Sequence, residues 1–209
     1  MDAGRLIIFA KAPRPGMVKT RLAATLGPEA ACAAYRELVG QLLANLRALG
    51  NVSLHFAPAD AAEEIRPWLQ KGWTLQAQPE GDLGARMQAA FTSAFASGIS
   101  RVVLIGSDCP DVTIEDILTA WDSLEKHDVA LGPARDGGYW LIGLNQPQPT
   151  LFEEIPWSTA RVFEKTLRRA ESLRLRVHRL RELEDMDTAA DWERFKARSN
   201  SLEANAAGC

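Results

Sequence analysis

The chain has 209 residues, and its 24 Lys and Arg against 27 Asp and Glu give a formal net charge of -3. Hydrophobic residues make up 46% and charged residues 24%, a globular composition that excludes wholesale disorder. The acidic balance argues against nucleic acid as a partner, since phosphate-backbone binding needs a net basic face. The sequence has neither an apolar run of ~18 residues, as a membrane span requires, nor a signal-peptide pattern at its start. We therefore predict a cytoplasmic protein.

The hydrophobic pattern predicts strands that alternate with helices. The predicted strands span residues 6–10, 52–57, 73–78, 101–106, 129–132, 139–144 and 173–180. The predicted helices run over about 28–49, through 65–69, over 83–97, 113–124, 159–172 and 188–197. This order implies an α/β protein with a mostly parallel sheet and helices on both faces, a three-layer sandwich. We predict one domain over residues 1–198 and a flexible C-terminal tail over 199–209.

Polar, glycine-containing loops follow four of the predicted strands. These loops are 11–22, 106–111, 132–138 and 184–188. Ligands of open parallel sheets bind outside the carboxyl ends of the strands. The four loops therefore predict a site for a charged ligand that carries phosphate.

The first loop is the predicted phosphate site. Gly16 would let the backbone approach a ligand, while Lys19 and Arg21 add positive charge. A Walker A loop is excluded, because that motif needs a glycine directly before the lysine, whereas Gly16 precedes Lys19 by three positions. The alternative is a solvated basic loop.

Two aspartates are the predicted metal ligands. Asp108 follows the most buried predicted strand, and Asp187 or Asp185 lies in the loop after the last strand. Mg²⁺ is commonly held by one or two carboxylates together with phosphate oxygens and water. The alternatives are an Asx turn or helix cap for Asp108 and a favourable charge beside the N-terminus of a helix capped by Thr188 for Asp187.

A second glycine-rich turn, Asp136-Gly137-Gly138, separates two predicted strands. It is either a plain hairpin turn or a contact surface for an acceptor substrate. Trp140 and Trp157 are predicted to lie near the same site. Cys109 follows Asp108 but has no paired base in the sequence, so we predict a semi-buried, unreactive thiol.

Six segments together resemble a known family. They are FAKAPRPGMVKTRL, QPEGDLGARM, LIGSDCPD, GPARDGGYWLIGL, PWST and DMDTAADW. In this order they are similar to the radical-SAM/selenodomain-associated "transferase 1" family over about residues 5–196. The resemblance implies the GT-A type fold of the nucleotide-diphospho-sugar transferase superfamily, which includes phospholactate guanylyltransferase and glycosyltransferases.

The resemblance also implies roles for individual residues. Lys19, Arg21 and Asp108 match catalytic positions, and Asp108 with Asp187 matches a metal pair that binds Mg²⁺, with Mn²⁺ as the alternative. The implied nucleotide-binding residues are Ala10, Lys11, Gly16, Lys19, Arg21, Asp82, Gly84, Arg86 and Ser107. The implied acceptor-binding residues are Asp136, Gly137, Gly138 and Trp157.

One departure from the glycosyltransferase pattern bears on the reaction. Those enzymes usually carry an Asp-x-Asp pair, and this chain has Ser107-Asp108-Cys109 at that place. We therefore expect nucleotidyl transfer from a nucleoside triphosphate to a small-molecule acceptor, with release of pyrophosphate. The alternatives are glycosyl transfer from a nucleotide sugar and an inactive nucleotide-binding scaffold. A dinucleotide oxidoreductase would need a Gly-x-Gly-x-x-Gly segment after the first strand, which is missing.

Overall fold

The computed structural model describes residues 4–207, with side chains through residue 198. Its strands are β1 (Arg5–Lys11), β2 (Val52–Ala57), β3 (Thr74–Ala77), β4 (Val102–Ile105), β5 (Val129–Pro133), β6 (Tyr139–Leu144) and β7 (Val177–Arg179). Its α-helices are α1 (Thr20–Leu26), α2 (Pro28–Leu46), α3 (Ala62–Ile65), α4 (Leu83–Ala96), α5 (Ile114–Ser123), α6 (Val162–Ser172) and α7 (Ala189–Ala207). Two short 3₁₀ helices cover Arg66–Trp68 and Pro149–Phe152.

The seven strands form one sheet in the order β3-β2-β1-β4-β6-β5-β7. Only β6 runs antiparallel, and it pairs that way with both β4 and β5. The central strands β1 and β4 are continuous apolar runs because both of their faces are covered; Ile8, for example, pairs with Leu54 and Ile105. The predicted mostly parallel sheet is confirmed.

Helices cover both faces of the sheet. On one face α2 and α5 pack Val39, Leu42 and Ile117 against Leu6 and Ile8 of β1. On the other face α4 and α6 pack Met87, Phe91 and Ala170 against Ile7 and Phe9. Alternate residues of each strand point to opposite faces, so one apolar strand supplies both cores. The predicted three-layer α/β/α sandwich is confirmed.

Several elements differ from their predicted bounds. Helix α1 was not predicted, because the basic loop hides its start, and α2 ends at Leu46, before Leu49 and Gly50. The predicted strand 173–180 shortens to three residues. Leu173 is the C-cap of α6 and Arg174 has a φ of 57°, a left-handed conformation that interrupts an extended chain.

Helix α7 begins as predicted and extends further. Thr188 caps its first turn, since the Asp191 amide donates to Thr188 Oγ1 and the Thr188 amide donates to Asp191 Oδ2. The helix continues to Ala207, beyond the predicted end at about 197, through residues that include the helix formers Leu202, Glu203 and Ala204. The flexibility predicted for 199–209 stays a prediction, and residues 208–209 lie outside the described residues.

The topology brings the polar loops to one edge of the sheet. Strands β1, β4, β5 and β7 all run in the same direction, and β6 begins where they end. The four predicted loops therefore meet there. None of the helices within residues 4–207 has the length and hydropathy that a membrane crossing requires.

Candidate active site

A cleft of about 800 Å³ opens at this edge of the sheet. Eleven of the predicted site residues belong to its lining: Ala10, Lys11, Lys19, Arg21, Arg86, Ser107, Asp108, Asp136, Gly138, Trp157 and Asp187. These residues come from six separate parts of the chain. Their convergence follows from the strand order, since β1 and β4 are adjacent and β5, β6 and β7 complete the wall.

Four predicted site residues do not line the cleft, and each occupies a turn, a helix cap or a closely packed position instead. Gly16 is exposed, with a φ of 77° in a turn. Asp82 caps α4, where its carboxylate accepts a hydrogen bond from the Ala85 amide. Gly84 packs under Trp157, and Gly137 packs so closely on the backbone that a Cβ there would overlap Ala160.

An ion cluster occupies the centre of the cleft. The Lys19 Nζ atom lies 2.6 Å from Asp108 Oδ1 and 3.0 Å from Asp187 Oδ1. The Lys19 side chain is only 2% exposed, whereas Asp108 is 51% and Asp187 36% exposed. Two carboxylates from separate strand ends therefore share one buried cation and present their remaining oxygens to the cleft.

The local backbone fixes the position of Lys19. Lys19 is the N-cap of α1 with φ 48° and ψ 47°, and its carbonyl accepts a hydrogen bond from the Ala23 amide. Burial alone would lower the pKa of Lys19, but the carboxylates of Asp108 and Asp187 outweigh burial and hold that pKa above its ordinary value. The ammonium is therefore charged at neutral pH.

Arg21 stands at the mouth of the cleft. Its side chain is 69% exposed, and its Nη1 atom lies 3.7 Å from Asp187 Oδ2. An exposed pair at this distance contributes little to stability. Arg21 is therefore free to turn toward an anionic ligand, and a guanidinium can bind phosphate in a bidentate manner.

The carboxylate pair fits a hard divalent cation. Asp108 and Asp187 already converge on one positive charge, and Mg²⁺ takes oxygen ligands, one or two carboxylates with phosphate oxygens and water. Among the described residues, no group of three or more His, Cys, Asp and Glu side chains could hold a metal ion. A cation here would thus rely on two carboxylates and on its substrate.

A third carboxylate, Asp185, borders the same wall. Burial raises the pKa of Asp185 to about 6, and the charges of Asp108, Asp136 and Asp187 add to the effect. Its Oδ1 atom accepts a hydrogen bond from the Cys109 thiol. Burial, followed by the nearby Asp185 charge, raises the pKa of Cys109 well above its ordinary value. Cys109 is therefore buried and unsuited to nucleophilic chemistry.

Tyr35 is a site residue that sequence reasoning missed, because it fits the apolar stripe of α2. Its hydroxyl accepts a hydrogen bond from the Lys11 amide and lies 3.0 Å from Ser107 Oγ. It thereby connects the loop after β1 to the loop after β4. A polar tip that needs a partner on a buried helix face was the available signal.

Gln78 also lines the cleft, and it was missed in the sequence analysis. Its amide nitrogen donates to the His55 carbonyl at 2.9 Å, while Arg86 Nε donates to the Gly81 carbonyl. Both residues line the cleft. A glutamine after a short strand carries no distinctive sequence pattern, so only the fold reveals its position.

The turn between β5 and β6 also lines the cleft. The Gly138 amide donates to Asp136 Oδ1 at 2.8 Å, which makes the segment a hairpin turn whose aspartate still borders the cleft. Trp157 stands beside it, with its ring edge-on to Tyr139. The hairpin and the proposed acceptor surface are thus compatible.

The charged residues of the cleft lining divide by their position in the chain. Among the described residues, the lining lysines and arginines all come from 11–86, and the lining carboxylates all come from 108–187. We call Lys11, Lys19, Arg21 and Arg86 the basic wall, and Asp136 and Asp185 the acidic wall. Lys19 of the basic wall contacts both carboxylates of the central pair, and Arg21 contacts one of them.

Comparison with known proteins identifies the family. Residues 42–159 match the family of uncharacterized proteins conserved in bacteria, DUF2064. The chain belongs to this family. A candidate nucleotide-diphospho-sugar transferase from Desulfovibrio desulfuricans G20 has 38% identity and a TM-score of 0.84, over 90% of this chain and 84% of that one. No curated protein matches the chain.

Two more distant structures share the fold. A CMP:2-keto-3-deoxy-manno-octonic acid synthetase complexed with CTP has a TM-score of 0.60 at 9% identity, over 95% of this chain and 98% of that one. The Rv0371C protein of Mycobacterium tuberculosis H37Rv in complex with manganese has a TM-score of 0.53 at 17% identity, over 92% and 97%. The DUF2064 chain therefore has a fold similar to that of nucleotide-diphospho-sugar transferases.

Proposed function

We propose that this protein is a divalent-metal-dependent nucleotidyltransferase that acts on a nucleoside triphosphate and a small-molecule acceptor. The observation that carries the proposal is the Asp108–Asp187 pair, which is brought from two strand ends to one cation in a cleft that is also lined by Lys11, Arg21 and Arg86. The CTP and manganese complexes of fold neighbours agree with it.

The basic wall would hold the triphosphate. Lys19 and Arg21 would contact phosphate oxygens, and Asp108 with Asp187 would hold Mg²⁺ or Mn²⁺. The metal, when bound, neutralises charge on the phosphates. An acceptor oxygen would then form a bond to the α-phosphorus as the bond from that phosphorus to the oxygen of the β-phosphate breaks, so that pyrophosphate leaves and the proton of the acceptor hydroxyl passes to solvent water. Catalysis is positioning and charge stabilisation.

The acidic wall indicates the acceptor class. Asp136 and Asp185 border this part of the cleft together with Trp157. Two carboxylates repel an acidic acceptor and accept hydrogen bonds from hydroxyl groups, and an aromatic face packs against the apolar side of a small molecule. The structure thus favours attack by a hydroxyl group rather than by a phosphate.

Glycosyl transfer from a nucleotide sugar is the second candidate. The 38% identical Desulfovibrio protein is described as a candidate nucleotide-diphospho-sugar transferase. The same basic wall could hold a diphosphate. The missing carboxylate at Ser107 is the feature of this chain that favours nucleotidyl transfer.

Phosphorus NMR separates nucleotidyl transfer from glycosyl transfer without a known acceptor, because water can slowly take the place of the acceptor in either reaction. Each nucleoside triphosphate, and separately each of several nucleotide sugars, is incubated with the enzyme and Mg²⁺. We expect a nucleoside monophosphate and pyrophosphate, with no product from Asp108→Asn. A nucleoside diphosphate formed from a nucleotide sugar would support glycosyl transfer instead, and no product from any compound would support the scaffold.

A further inference from the structure

We propose that the Lys19 ammonium and a divalent cation compete for the Asp108–Asp187 carboxylates, so that the metal binds tightly only after a ligand draws Lys19 away. Lys19 would then act as a built-in counter-ion of the metal site. This inference rests on the proposed function only in taking nucleotide phosphates as the natural ligand that moves Lys19.

The contacts place Lys19 on the oxygens a metal would use. Lys19 Nζ lies 2.6 Å from Asp108 Oδ1 and 3.0 Å from Asp187 Oδ1. An octahedral Mg²⁺ needs its oxygen ligands at ~2.0–2.1 Å. An ion held by the same two oxygens would meet the ammonium at short range, where two positive charges repel each other.

The backbone of Lys19 is fixed, but its side chain can move away from the two aspartates. Its backbone is fixed as the N-cap of α1, but the four-carbon stem has rotatable bonds that can move the ammonium without moving the helix. Lys19 and Arg21 both line the cleft, and both contact Asp187. Anionic phosphates bound there would attract it away from the aspartates.

The competition predicts coupled binding. Phosphates that draw Lys19 toward themselves free the carboxylates for a metal ion, and a bound metal ion releases Lys19 for the phosphates. Each ligand must then raise the affinity of the other by the same factor. The metal alone should bind weakly to the wild-type chain.

Mn²⁺ alone is the probe for this proposal. Free Mn²⁺ is measured by electron paramagnetic resonance while it is titrated into wild-type protein, Lys19→Met and Arg21→Met, with no nucleotide present. Arg21→Met is the matched control, since it removes one positive charge 3.7 Å from Asp187 but no bridge between the carboxylates. We expect Lys19→Met to bind Mn²⁺ at least tenfold more tightly than both other proteins.

The melting temperature shows whether Lys19→Met is folded and whether Mn²⁺ stabilises it. Lys19→Met leaves two carboxylates without their shared cation, so its melting temperature should fall in metal-free buffer and rise with Mn²⁺ more than that of the wild type. Lys19→Gln should behave in the same way. The gain in affinity should disappear in Lys19→Met/Asp108→Asn; a gain that persists there would place the ion elsewhere and overturn the proposal.

Equal or weaker Mn²⁺ binding by Lys19→Met and Lys19→Gln would also overturn it. The result is independent of the proposed reaction. If no nucleotide binds but the lysine variants gain Mn²⁺ affinity, the proposed function fails while the competition stands. If nucleotides bind with Mg²⁺ and the lysine variants gain nothing, only the competition fails.

Discussion

Asp187 and Asp191 lie four residues apart at the start of α7, and their side chains have different roles. Asp191 accepts hydrogen bonds from the amides of Asp187 and Thr188 and so caps the helix. The Asp187 side chain instead contacts Lys19 and Arg21 in the cleft. One aspartate stabilises the helix, and the other belongs to the ion cluster.

This division predicts opposite phenotypes for two matched variants. Asp187→Asn should weaken binding of a Mg²⁺-nucleoside triphosphate at least about tenfold, because a charge-assisted contact contributes ~1.5–3 kcal/mol. Asp191→Asn should leave that affinity nearly unchanged and lower stability by ~0.5–2 kcal/mol as the cap weakens. Calorimetric titration and urea unfolding measure the two effects; the reverse pattern would make Asp187 a structural residue.

His55 makes the fold sensitive to acid. It is 3% exposed and stacks on Phe9, and its Nδ1 atom is buried with no hydrogen-bond partner. Burial, with a smaller contribution from the charge of Arg5, lowers the pKa of His55 to about 4. The unfolded chain has a histidine pKa of ~6.5, so the native state favours the neutral ring.

Acid should therefore destabilise the protein through His55. The stability linked to His55 is fully present above pH ~6.5 and is lost as the pH falls toward 4, by about 3 kcal/mol in total. His55→Leu should therefore flatten this part of the pH profile in urea unfolding at pH 7 and pH 4.5. Parallel profiles for wild type and variant would show that His55 is not the group responsible.

At the scale of elements, the first turn of α4 and the loop after Pro156 are packed together. A Cβ on Gly84 would lie 2.6 Å from Trp157 Nε1. Gly84→Ala must therefore displace the indole or the helix, and overpacking of this kind costs ~1–3 kcal/mol. The displaced Trp157 would also disturb the acceptor wall.

A double-mutant cycle tests this contact. Combined with Trp157→Ala, Gly84→Ala should cost no stability beyond that of Trp157→Ala alone, because the clash is gone. Ala85→Ser, one position along on the exposed side of α4, is the control and should have a small effect in both backgrounds. Additive costs in the unfolding free energies would mean that the indole does not restrict Gly84.

Element by element, local patterns predicted some features and not others. The buried run of β4 and the start of α5 were predicted because their signals, an apolar run and the Thr113–Asp116 capping box, each lie within a few residues. The direction of β6 depends on its pairing with the distant strands β4 and β5. Apolar residues alone carry no information on strand direction.

At the scale of the whole molecule, strand order explains why loop residues could be predicted as one site. The carboxyl ends of parallel strands share an edge, so Lys19, Asp108 and Asp187 were expected together from sequence. The bridge that Lys19 makes between the aspartates could not be, because it depends on the left-handed backbone of one residue. Tyr35 and Gln78 were missed because their partners are distant in the chain.

The division of charge across the cleft is likewise a property of the whole fold. The lining cations come from the first half of the chain and the lining carboxylates from the second half, although the chain as a whole is only mildly acidic. The proposed function places the donor phosphates at the basic wall and the acceptor at the acidic wall of one cleft. We propose that the basic wall, with the aspartate pair, binds a metal-nucleoside triphosphate.

Thermal unfolding with added ligands tests the binding of the metal-nucleoside triphosphate. Each nucleoside triphosphate and several nucleotide sugars are added with Mg²⁺ to wild type and to Asp108→Asn. A ligand at 100 times its dissociation constant adds about 2.7 kcal/mol, a rise of roughly 5–10 °C in melting temperature for a chain of this size. We expect this rise for one triphosphate, with Mg²⁺, in wild type and not in Asp108→Asn. A larger rise with a nucleotide sugar than with every triphosphate, or an equal rise in Asp108→Asn, would contradict it.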